Sequence, residues 1–172
     1  MSPKVLAARL TSIPGKRLIR HWFSLERMED GSLMELRLFT AEQASALIPY
    51  LEAKVKRIRA TKRELDATAR RLEVLSLIAG AGATGENPDV RARERTEARA
   101  RHLTREIEEE VEAIQGRGCV VKDLNDGLID FYALRGDRLV FLCWKSGEEE
   151  VAHWHPLDRG YAARKPLETH ET

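Results

Sequence analysis

Two stretches with helical periodicity flank a glycine-rich segment, and their charges are complementary only if the chain doubles back on itself. The first stretch carries Lys54, Lys56, Arg57, Arg59, Lys62 and Arg63; the second ends in Glu106, Glu108, Glu109, Glu110 and Glu112. Between them, Ala79-Gly80-Ala81-Gly82-Ala83-Thr84-Gly85-Glu86 reads as a flexible loop. A turn near Thr84 sets position 58 beside about position 110, so the basic run meets the acidic run. The second stretch also opens with Arg91, Arg93 and Arg95 and closes with glutamates, against its own dipole. That arrangement is unfavourable for a lone helix and sensible for a paired one. Exposed pairs contribute only about 0–1 kcal/mol each, so their role is to set register and direction. The same basic run also has the look of a nucleic-acid stripe; the cross-paired helical face is the preferred reading.

The apolar residues agree. Thr40-Ala41-Glu42-Gln43 is a capping box. Ala44, Ile48, Leu51, Val55, Ile58, Leu65, Ala69 and Leu72 then recur in steps of four and three, with Lys62 filling one gap, which predicts one narrow, coiled-coil-like stripe. Pro49 lies inside that pattern and predicts a kink, because it lacks an N–H and crowds the Ser45 carbonyl. Asn87-Pro88 starts the second helix, Ala100, Leu103, Ile107, Val111 and Ile114 form its face, and Gly116 ends it. A hairpin over 40–116 with so narrow a stripe is short of burial. It must pack on the rest of the chain or on a second copy, so a homodimer through the helices is one expectation.

The block 118–167 holds the strand candidates: Cys119–Lys122, Leu128–Leu134, Leu139–Trp144 and Glu150–His155. Asn125-Asp126-Gly127, Gly136-Asp137 and Ser146-Gly147 are short turn-like connections, so neighbours are antiparallel and the block is a β-meander. One face of it must lie on the hairpin. Alternation puts Val151, His153 and His155 on one face of the last strand. Two imidazoles about 7 Å apart at the backbone can share one metal ion. With Asp130, or another of the nearby carboxylates (Glu148, Glu149, Glu150 and Asp158), His153 and His155 would suit Zn or non-haem Fe. The competing reading is a surface or hydrogen-bonded pair. Asp130 sits among Leu128, Ile129, Phe131 and Tyr132, where an unpaired carboxylate is costly to bury. It is either a ligand or acid/base group, a buried partner of Arg138 or Arg164, or part of a solvent face. Arg164 can bind an anion or clamp a carboxylate, and the clamp is the preferred reading. Trp144 and Trp154 read as packing residues.

The remaining composition limits the function classes. A net charge of +1 gives no global pull toward nucleic acid or anionic membrane. Cys119 and Cys143 have no metal-motif spacing and lie in apolar runs, so they read as buried free thiols in a reducing, cytoplasmic setting. No apolar run reaches the roughly 18–20 residues of a membrane span. Residues 1–33 are basic before Trp22 and interrupted by Pro3, Pro14 and Gly15. They read as a disordered or loosely attached arm or, with Met28 and Met34 as alternative starts, as an upstream extension; a basic arm for nucleic acid or membrane ranks below both. Residues 168–172 are expected to fray.

Several segments together resemble a known family. They are Leu38-Phe39-Thr40 with Glu42-Gln43-Ala44, Leu47-Ile48-Pro49, Val121-Lys122-Asp123-Leu124, Gly127-Leu128-Ile129-Asp130-Phe131, Val140–Trp144 with Gly147-Glu148, Trp154-His155, Gly160-Tyr161 and Arg164. The chain from about Met34 to Leu167 is similar to the bacterial domain of unknown function 2203, although Ala163 stands where that pattern has glycine. The resemblance implies a cytosolic bacterial protein with a helical hairpin and a small sheet, and no assigned activity. It implies recurrent polar positions at Asp123, Asp130, Glu148, His155 and Arg164; His153 is outside the pattern.

The expected fold is α+β, a single domain over 34–167 in which a long antiparallel helical hairpin packs on a small antiparallel β-meander. With no nucleophile–base pair, phosphate loop or strong metal motif in view, the leading function is a non-enzymatic interaction or regulatory module. The first alternative is a metal- or small-anion-binding protein or enzyme with its site on the sheet, centred on Asp130, His155 and Arg164 with Glu148 or His153 assisting, and with Asp123 in the candidate polar set. The second is weak nucleic-acid binding through the arm and first helix.

Overall fold

The helices run as their charges require. The computed structural model describes residues 22–25, 34–79 and 87–167. Helix α1 spans Ala41–Ser45, α2 spans Ile48–Ala79 and α3 spans Pro88–Gln115. Lys54 and Arg57 both reach Glu110, and Arg99 reaches Glu64 at 2.6 Å. Positions rise along α2 as they fall along α3, so the two are antiparallel. No described helix is long and apolar enough to cross a membrane. The loop expected at 80–86 and the tail at 168–172 lie outside the described residues.

The N-terminal cap forms as the sequence indicates. Gln43 N donates to Thr40 Oγ1 at 3.2 Å, and Thr40 N donates to Gln43 Oε1 at 3.1 Å. Pro49 does something different from the expected kink. The helix stops after Ser45 and restarts at Ile48, which leaves Pro49 in the first turn of α2. There its missing N–H costs nothing, because first-turn amides have no intrahelical acceptor. The break frees Ser45, whose Oγ accepts from Val151 N at 3.0 Å.

Five antiparallel strands follow in the order β3-β4-β5-β6-β7: Cys119–Asp123, Leu128–Arg135, Arg138–Lys145, His153–Pro156 and Lys165–Pro166. The last expected strand, 150–155, begins three residues late, at His153, and runs to Pro156, since residues 150–152 are not in a strand; β7 supplies an edge that the sequence did not announce. Strands β1 (Trp22–Leu25) and β2 (Met34–Arg37) pair antiparallel as a separate ribbon. The remainder of the arm, 1–21 and 26–33, is outside the described residues.

The core lies between the base of the hairpin and one face of the sheet. Leu51, Val55 and Ile58 of α2 and Ile114 of α3 pack with Ile129, Phe131, Leu142 and Trp144. Phe39 meets Phe131 edge to face, with centroids 5.2 Å apart. Polar groups lock α2 to the turns: Arg59 donates to the Asn125 carbonyl and to Ser146 Oγ, both at 3.0 Å, and Ser146 Oγ donates to Glu52 at 2.9 Å. Gly127, at φ +62°, sits so close that an added Cβ would lie 2.9 Å from Val55 Cγ1. The far half of the hairpin runs beyond the sheet and leaves Val74, Leu77 and Ile78 exposed, Leu77 by 84%.

Candidate functional site

Period-two alternation sends Asp130 and Tyr132 of β4, Phe141 and Cys143 of β5, and His153 and His155 of β6 to the face turned away from the helices. Register aligns them in rows, Asp130 with Cys143 and His153, and Tyr132 with Phe141 and His155. Asp130, Cys143 and His155 are nonetheless 1–2% exposed. His155 Nε2 lies 3.1 Å from Asp130 Oδ2, and Nδ1 lies 2.9 Å from the Pro156 carbonyl oxygen. A carbonyl only accepts, so Nδ1 carries a proton and Nε2 is turned to the carboxylate. Lys122 Nζ is 3.8 Å from the same Asp130 oxygen and 4.3 Å above the Phe141 ring. Asp130 Oδ1 is buried without a partner. Burial and the adjacent Asp130 charge push the Cys143 thiol up to about 12, and burial pushes Cys119, on the helix side, up to about 11. Neither is set up as a thiolate nucleophile.

A second group adjoins the first. Arg164 Nη2 donates to Glu148 Oε1 at 2.6 Å and to His153 Nδ1 at 2.7 Å. Glu148 Oε2 accepts from Lys145 N at 2.8 Å, and the Glu148 carbonyl accepts from Trp144 Nε1 at 2.9 Å. Arg164 also lies 4.6 Å over the Tyr161 ring. This is a carboxylate clamp that ties the β5–β6 loop to the segment after β6. The two groups meet at Cys143, which feels the charges of both Asp130 and Arg164.

The structure therefore brings Asp130, His155, Glu148, Arg164 and His153 to one side of the sheet. It does not bring Asp123 there: Asp123 Oδ1 accepts from Asp126 N at 2.8 Å and shapes the β3–β4 turn. Asp130 is paired with His155 and Lys122 rather than with Arg138 or Arg164. His153 accepts from Arg164 instead of turning to His155 and Asp130. The groups that could converge on an ion are Asp130, Cys143 and His155, whose ligand atoms lie within 4.8 Å of one another. Cys143 was missed because its run is apolar; its position opposite Asp130 across two antiparallel strands was the available signal.

The open face of α3 carries the other concentration of chemistry. Arg101, Arg105, Glu108 and Glu112 are all exposed and follow at steps of four, three and four, which places them in one row. Lys54, Arg57 and Arg59 of α2, by contrast, are bonded within the chain.

A protein-family model described as "Uncharacterized conserved protein (DUF2203)" matches residues 37–167. No curated protein and no solved structure matches the chain.

Proposed function

Since the chain belongs to the DUF2203 family of uncharacterized conserved proteins, we propose a function from its geometry: a non-enzymatic interaction module that works as a pair, two copies laid antiparallel along α3. The row Arg101, Arg105, Glu108, Glu112 carries this reading. Under a two-fold axis between positions 106 and 107, Arg101 faces Glu112 and Arg105 faces Glu108 of the second copy, and the reciprocal pairs form by symmetry. A parallel arrangement would set like charge on like. The row is about 17 Å long at 1.5 Å per residue. Exposed pairs are individually weak, about 0–1 kcal/mol, so the association is modest, salt-sensitive and selective in direction. Free, buried Cys119 and Cys143 support a reducing cytosol as its place.

Light scattering on the eluting full-length protein tests this. A dimer mass at low salt that falls toward the monomer as salt rises is expected. A monomer mass at every salt and protein concentration would overturn it.

The buried, partnerless Asp130 Oδ1 favours a second reading, a divalent ion of the zinc class held by Asp130, Cys143 and His155. Coordination would deprotonate the thiol. Lys122 and Arg164 already balance Asp130 and Glu148, so an ion would enter a neutral site, which ranks this reading second. Elemental analysis of the purified protein beside His155→Ala decides it: about one ion per chain, lost in the variant, supports the site, and metal in neither rejects it.

A further inference from the structure

At the tip of the β4–β5 hairpin, residues on the helix-side face of the sheet line a cavity. The cavity there holds about 720 Å³ and is lined by Arg135, Arg138, Val140, Trp154, Pro156 and Lys165 among others. Register explains the gathering. Arg135 follows Ala133 on the core face of β4, Arg138 precedes Val140 on β5, Pro156 is opposite Val140, and Lys165 is opposite Trp154. The Arg135 guanidinium lies 4.4 Å from the Trp154 ring centroid and Lys165 Nζ lies 5.3 Å from it. The indole thus holds two of the three cations in place. Its own N–H is buried without an acceptor among the described residues. None of the described residues lining the cavity is acidic. The whole chain carries only +1, so three cations around one hollow are not a by-product of a basic protein.

We infer that this groove binds a small ligand bearing two or more negative charges on phosphate-type oxygens. The Arg138 guanidinium fork matches phosphate oxygens two at a time, and Lys165 adds a point charge. The volume lies within the usual range for small-molecule sites, about 300–1,000 Å³. Arg138 and Lys165, both exposed, give the ligand two positive charges to meet, which suits a phosphate-type group better than a single carboxylate. The site is independent of the α3 row and of the buried Asp130 cluster.

Calorimetric titration of the full chain at low salt tests it, with pyrophosphate, inorganic phosphate, citrate and a single-stranded oligonucleotide as separate probes. Saturable pyrophosphate binding, stronger than that of phosphate or citrate, is expected. It should weaken at least tenfold in Arg138→Ala/Lys165→Ala, two exposed positions whose double variant should melt with the wild type. Trp154→Phe, which keeps a smaller aromatic ring and removes the N–H, should weaken it less. Lys56→Ala/Arg63→Ala, on the exposed helix surface, should leave it unchanged. Equal weakening by both double variants would mean non-specific charge and overturn the site. So would citrate binding as tightly as pyrophosphate, oligonucleotide binding with pyrophosphate silent, or no binding of any probe.

Discussion

His155 is held at both ring nitrogens, and Asp130 depends on it. Replacing His155 by Ala leaves a carboxylate that is 1% exposed with Lys122, at 3.8 Å, and the Cys143 thiol. Removing a hydrogen-bonding partner from a buried carboxylate in this way costs about 1–3 kcal/mol, to be read as a shifted urea midpoint at unchanged slope. The cysteines give a pH dependence. Both thiols titrate higher in the fold, at about 11 and about 12, than their ordinary value of 9.0. A raised acid keeps its proton in the folded state while the unfolded chain ionises. Their contribution to stability is therefore full below pH 9 and lost as pH rises through 11 to 12. Thermal unfolding between pH 8 and 11 should show the midpoint falling above pH 9, and Cys143→Ala should flatten the fall. A thiol reagent at pH 8 should label neither cysteine until the protein is unfolded.

The elements divide into those whose signals were local and those set by distant contacts. The capping box of α1, the antiparallel α2–α3 pair and three of the strands were legible, because charge, periodicity and turn residues all act within a few positions. Thr40→Ala should accordingly cost about 1 kcal/mol, measured by the same urea series. Pro49 was legible as a break but not as a restart, since the break depends on Ser45 meeting Val151 across the core. The segment 150–152 has strand-like alternation, yet Val151 bonds to a helix instead of a neighbouring strand. Strand β7 is two residues long and too short for periodicity to reveal. The candidate site was half legible. Asp130, Glu148, His155 and Arg164 stood out as polar residues in apolar surroundings. Cys143, the Asp130–His155 bond and the role of Asp123 in a turn required strand register. Gly127 marks where elements meet: Gly127→Ala combines a positive φ with a 2.9 Å approach to Val55. It should loosen the base of the hairpin and lower the melting temperature by several degrees.

At the scale of the molecule, one half of the hairpin supports a sheet and the other half projects from it. The sheet keeps its most reactive groups sealed, and the projecting helix displays a row whose charges complement the same row reversed. Arg101→Glu/Arg105→Glu makes that row wholly acidic, and Glu108→Arg/Glu112→Arg makes it wholly basic, at positions that are exposed and outside the core. Sedimentation of each variant alone and of their equimolar mixture tests the pairing directly. Antiparallel association along α3 predicts monomers from each variant alone and a dimer from the mixture, as tight as the wild-type dimer or tighter. A variant that dimerises alone as well as the wild type, or a mixture that stays monomeric, would contradict it.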